Sequence, residues 1–169
     1  MMKARISIIM GSTSDLPVME EAAKILNEFE IPFEMNALSA HRTPVEVEEF
    51  ATSARQKGLE VIIAGAGMAA HLPGVIAAQT EIPVIGVPIK ASLDGWDSIL
   101  SILQMPPGIP VATVGVNAAR NAGLLAVQML AIHDPALMKK YEKFKEGLKE
   151  KVVKANQALS EIKYPFKTN

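Results

Sequence analysis

Two runs, Val-Ile-Ile-Ala at 61–64 and Val-Ile-Gly-Val at 84–87, carry no polar side chain on either alternating face. Strands of this kind fit the interior of a parallel sheet with helices packed on both sides. Around them the chain alternates. Short β-type runs fall at 4–10, 33–38, 60–64, 84–87 and 111–116, with helical segments at 16–29, 44–57, 72–79, 96–104 and 117–132 between and after them. Strand alternating with helix predicts βαβ units and a layered α/β fold. Asp15 ahead of Leu16-Pro17, and Thr43 ahead of Pro44, read as helix N-caps with proline in the first turn.

With 169 residues, 49% of them hydrophobic, the chain has material for one domain with a substantial core. We expect a single domain over 1–169, its core at about 4–132 and a long helix at about 135–162. On that helix Leu137, Tyr141, Phe144, Leu148, Val152, Ala155, Leu159 and Ile162 recur every three or four residues. They form one apolar stripe, and the Lys and Glu between them form a solvated face. A helix this long overreaches a small domain, so the stripe predicts burial on a second subunit.

Charge and composition exclude several functions. Seventeen Lys and Arg balance eighteen Asp and Glu, for a net charge of -1. That argues against a nucleic-acid partner and against a polybasic membrane surface. Cysteine is absent, which removes disulfides, thiolate metal sites and a thiol nucleophile. The three histidines, His41, His71 and His133, lack the spacing of a helical metal pair. The uncharged stretches 61–80 and 98–119 are both broken by Gly and Pro, so neither predicts a membrane span. A cytoplasmic protein is the expectation.

In an open parallel sheet, ligands bind beyond the carboxyl ends of the strands, so the chemistry is sought in the loops there. After the first strand comes Gly11-Ser12-Thr13-Ser14-Asp15. Its glycine, hydroxyls and free N–H groups suit a phosphate or ribose, and Asp15 suits ribose hydroxyls if it is not simply the helix cap. Ser39-Ala40-His41-Arg42-Thr43-Pro44 follows the second strand. Arg42 offers a planar fork of donors for phosphate. An imidazole such as that of His41 suits proton transfer, the alternative being a loop histidine bonded to backbone. The third loop begins at Gly65 and runs through Gly67, Ala69, Ala70, His71 and Leu72. Its small residues permit close backbone approach, and His71 near a helix start reads equally as a loop-holding residue. His133, at the end of a helix, reads as a cap or dipole partner. Familiar cofactor patterns fail. Gly65-x-Gly67-x-x-Ala70 follows the wrong strand and lacks the ribose-binding acid. Only Trp96, Tyr141 and Tyr164 could offer a large ring to a flavin.

Taken together the loops are specific. Gly-Ser-x-Ser-Asp, Ser-Ala-His-Arg-Thr-Pro, Gly-Ala-Gly-x-Ala-Ala-His-Leu-Pro-Gly, Gly-Val-Pro and Gln-Met-Pro-x-Gly-Ile-Pro-Val-Ala-Thr occur in that order. In this the chain closely resembles the N5-carboxyaminoimidazole ribonucleotide mutase family of purine biosynthesis, over residues 6–130. The resemblance implies a flavodoxin-like three-layer α/β/α fold with a parallel sheet, assembled as a homo-octamer. It also implies transfer of a carboxylate from the exocyclic nitrogen of an aminoimidazole ribonucleotide to ring carbon C4, with no ATP, metal or organic cofactor. The nucleotide-binding residues then fall on Ser12, Asp15 and Arg42, the catalytic histidine on His41 and the second loop histidine on His71. Ser39, Gly67, Ala69, Ala70 and Leu72 complete the expected substrate-binding set. A functional link to the ATP-dependent synthetase that forms the carbamate follows as well. Direct carboxylation by CO2, and a nucleotide-binding module without catalysis, are the alternatives. Met68 stands where the family usually has Gly. A shorter loop after Gly86-Val87-Pro88 leaves open which of Lys90, Ser92 and Asp94 meets substrate.

Overall fold

A computed structural model describes residues 3–169. Five strands, β1 (Ile6–Met10), β2 (Phe33–Ala37), β3 (Val61–Gly67), β4 (Val84–Ile89) and β5 (Ala112–Thr113), form one sheet in the order β2-β1-β3-β4-β5. Every pairing is parallel. The helices are α1 (Leu16–Glu28), α2 (Pro44–Lys57), α3 (Leu72–Ala77), α4 (Trp96–Leu103), α5 (Ala119–Ala131) and α6 (Pro135–Glu161). This is the flavodoxin-like α/β arrangement. Its strand order reverses between β1 and β3, which opens a crevice at their carboxyl ends.

The apolar runs behave as their composition dictates. All residues of β1 and β4 are buried, and so are Val61–Ala66 of β3. Side chains alternate between the two faces. Ile9, Ile62, Ala64 and Ala66 join Val47, Phe50, Ala51 and Ala54 of α2, Leu72 and Ile76 of α3 and Ile102 of α4 in one core. On the opposite face the α1 residue Met19, itself fully buried, lies directly over Gly65, its thioether filling the space a Cβ there would take. A second close approach joins α5 to α1: a Cβ on Gly123 would meet the Ala22 carbonyl oxygen at 3.1 Å. Each fully buried Ile or Leu of these faces contributes about 1.5–3 kcal/mol relative to exposure.

The structure corrects several expected boundaries. The third strand does not stop at Ala64. It runs on to Gly67 because Pro88 and Ile89 of β4 continue the pairing, opposite Ala66 and Gly67. The fifth strand shrinks from 111–116 to two residues at the sheet edge. Helix α5 starts at Ala119 rather than 117, because Asn117 has a positive φ of 57° and its side-chain oxygen accepts from the Lys90 N–H at 2.9 Å. Asp15 and Thr43 stand at the N-cap positions of α1 and α2 with proline in the first turn, as expected, but neither makes a side-chain capping bond. Asp15 already has helical backbone angles, at the end of a 3-10 turn (Thr13–Asp15) capped by the Ser12 side chain.

The chain divides into two units, one ending at Leu130 and the other Ala131–Asn169. In the second, Asp134 caps α6 by accepting from the Leu137 N–H at 3.0 Å. The apolar stripe of α6 is in place, and most of it is exposed: Leu148, Val152, Leu159 and Ile162 all face solvent. Among the described residues, no helix is long and apolar enough to cross a membrane.

Candidate active site

A cleft of ≈ 490 Å³ lies at the carboxyl ends of β1, β2 and β3, at the strand-order reversal. Three loops supply its walls. The β1–α1 loop gives Gly11, Ser12, Ser14 and Asp15. From the β2–α2 loop come Ser39, Ala40, His41 and Arg42. The end of β3 and the turn into α3 provide Ala66, Gly67, Met68, Ala69, His71 and Leu72, and Ala91 beyond β4 completes it.

Local bonding explains how each loop holds its shape. In the first, the Ser14 N–H donates to Ser12 Oγ at 3.2 Å, and the two serine hydroxyls meet at 2.5 Å. Thr43, freed from capping α2, ties the second loop instead. Its hydroxyl accepts from the Ser39 N–H at 2.8 Å and donates to the Ser39 carbonyl at 3.1 Å. The residues between, His41 and Arg42 among them, are thereby presented on a closed turn. The Arg42 guanidinium donates to the Gly11 carbonyl at 2.8 Å and to Ser39 Oγ at 3.3 Å, so one side chain joins the first loop to the second.

The histidines meet. His41 Nε2 lies 2.7 Å from His71 Nδ1, with the rings 4.9 Å apart and nearly perpendicular. Two ring nitrogens at that distance share one proton, so one imidazole donates while the other accepts. Both side chains are exposed toward the cleft's solvent, where a ligand would reach them. His71 starts α3 without capping it, leaving its ring for His41.

Burial raises the Asp15 carboxyl above its ordinary value of 3.8, although N–H groups of Ser12 and Gly11, the Ser14 side chain and the Arg42 charge pull it down. The sign follows from linkage. An acid whose folded value is raised favours the fold most while it is protonated, and that contribution is lost as pH rises through the raised value. Asp15→Asn should therefore stabilise the ligand-free protein at neutral pH. The gain should shrink as pH falls through the raised value and be gone below the ordinary value of 3.8. Thermal melts of both proteins across that pH range check it, and an equal or lower melting temperature for the variant at neutral pH would contradict it.

The AIR carboxylase family model matches residues 5–151. The chain belongs to the AIR carboxylase family. Among AIR carboxylase family proteins, the N5-carboxyaminoimidazole ribonucleotide mutase of Pyrococcus abyssi is 61% identical over 146 residues, 86% of this chain and 84% of that one. The phosphoribosylaminoimidazole carboxylase of Candida glabrata is 54% identical over 96% of this chain, which spans only 29% of that longer protein. A crystal structure of Treponema denticola PurE superposes with a TM-score of 0.81 at 28% identity, covering 91% of this chain and 97% of that one.

Within this AIR carboxylase family fold, the residues expected at the site come together with one exception. Ser12, Asp15, Ser39, His41, Arg42, Gly67, Ala69, His71 and Leu72 all line the cleft. Ala70, expected on its wall, is instead buried in the core beside Leu72 and Ile76. Lys90 and Asp94 pair with each other at 2.7 Å and do not line the cleft. Gly11 and Ala66 line it with the residues of their loops, and Ala40 and Ala91, which the sequence did not single out, line it as well. Small side chains carry no chemical signal, and only the strand ends mark them. His133 is exposed and lies outside the cleft.

Proposed function

We propose that this chain converts N5-carboxyaminoimidazole ribonucleotide to 4-carboxy-5-aminoimidazole ribonucleotide, with the 2.7 Å imidazole pair at the cleft as the observation that carries the reading. Arg42 and the N–H groups of the first loop take the phosphate. Asp15 and Ser12 take the ribose hydroxyls. The reaction breaks the N–C bond of the carbamate as the nitrogen gains a proton, leaving an aminoimidazole and CO2. C4 of that enamine then attacks the carbon of CO2 and loses its own proton. His41 ferries both protons, so the enzyme ends as it began, and His71 fixes which ring nitrogen of His41 carries the hydrogen. The Gly- and Ala-lined wall lets the ring approach closely and confines CO2 at high effective concentration. An ATP-dependent synthetase is the source of the carbamate in this reading.

The test supplies the carbamate without bicarbonate, then the free amine with bicarbonate, following the ultraviolet absorbance of the product. Faster product formation from the carbamate is expected. Turnover from the amine alone would replace this reading with direct carboxylation. Ribonucleotide binding by calorimetry with no transfer would replace it with a binding module.

Assembly as a homo-oligomer, an octamer in this reading, belongs to the same proposal. Its support is apolar surface left in water: Trp96 (67% exposed), Leu100 and Leu103 on α4, together with the stripe on α6. Sedimentation at micromolar concentration is expected to give a mass several times 18.1 kDa; a monomer mass would end it.

A further inference from the structure

Two residues lining the cleft carry large apolar side chains. Leu72 is 3% exposed and fixed in the core. Met68 is 60% exposed and sits at the turn out of β3, with a φ of 55°. That left-handed angle is one glycine adopts freely and a residue with a Cβ does not. A bulky side chain is thus held where the backbone favours none.

Its neighbours cannot substitute for it. A Cβ on Gly67 would meet the Ile89 carbonyl oxygen and the Ala91 Cβ, each at 3.2 Å. Ala69 reaches no further than a methyl group. Most of the remaining wall is hydroxyl, carboxylate, guanidinium, imidazole or small side chain, all of which admit water. Met68 alone combines length, three rotatable bonds and an apolar, polarisable surface with freedom to move.

We propose that Met68 is the cover of this cleft, its thioether folding over the bound ribonucleotide to keep CO2 against C4 between the two bond changes. The assignment rests on the carboxylate-transfer reading above. Once the N–C bond breaks with its electron pair left on the protonated nitrogen, CO2 has two fates. Attack by C4 forms the new C–C bond and releases the C4 proton to His41. Escape leaves the free amine and lets dissolved CO2 exchange in. Met68 biases the first against the second by excluding water and closing the exit.

The experiment compares the unmodified protein with Met68→Gly and Met68→Leu. Each converts unlabelled carbamate in buffer containing 13C-bicarbonate, with the uncatalysed loss of CO2 subtracted. Met68→Gly relieves the backbone angle, so its melting temperature should match or exceed that of the unmodified protein. Its product should carry several-fold more label in the C4 carboxylate, and more free amine should accumulate per turnover. Met68→Leu, which returns the bulk, should bring both values back toward the original. A merely structural defect would slow all turnover without changing this partition. Equal label and equal free amine in all three proteins, at normal turnover, would overturn the assignment alone. No conversion of carbamate by the unmodified protein would overturn the transfer reading and this assignment with it.

Discussion

Replacing His41 with Asn should lower kcat for carboxylate transfer about 10²–10⁴-fold, the range for loss of a positioned acid–base group. Asn keeps a polar side chain at the turn but has no acid–base group to exchange a proton with the substrate. The substitution leaves the Thr43–Ser39 bonds that close the loop, and the Arg42 contact to Gly11, untouched. Ribonucleotide affinity by calorimetry should therefore change little while turnover collapses. Near-full activity in the variant would remove His41 from the reaction.

The largest stability loss is expected in the core, at Gly86 in the middle of β4. A methyl there would fall on Ile102 Cγ2 and lie 3.0 Å from Val111 Cγ1. Ile102 is fully buried on α4, and its branched Cβ leaves little rotamer freedom. The alternative is to push α4 away from the sheet. Overpacking of this kind costs about 1–3 kcal/mol. Chemical denaturation should show the midpoint of Gly86→Ala falling with an unchanged slope. An unaltered midpoint would mean that α4 is less firmly seated than its contacts imply. Gly65 offers an instructive contrast: there the obstacle is the flexible end of Met19, which can turn aside.

The elements that could be read from the sequence are those whose burial is written in their composition. Val-Ile-Ile-Ala and Val-Ile-Gly-Val can only be strands covered on both faces, and α2 appears at 44–57 as its pattern predicts. Boundaries set by a distant partner could not be read. Gly65-Ala66-Gly67 has the composition of a loop, and it is strand because β4 pairs with it and Met19 needs the space. Asp15 and Thr43 carry the local signature of caps and stand at the cap positions, yet the Thr43 hydroxyl turns back to Ser39 to close its loop, and Asp15 lines the cleft. The site was legible as a set of loops at one sheet edge. The contact between His41 and His71 was not, because thirty positions separate them and no periodicity relates them. That Ala70 lies in the core could not be read either: a small residue beside a cleft and one beneath it look alike in sequence.

The join between the two imidazoles also limits how these loops can vary. Each ring reaches the other from a separate connection, and a gap of 2.7 Å tolerates little displacement. Adding or deleting one residue in either connection would shift a ring by roughly the spacing of consecutive Cα atoms, about 3.8 Å, and part the pair. Insertions and deletions in descendants of this sequence should therefore spare these two connections and gather elsewhere, while point changes at the positions flanking the rings remain open.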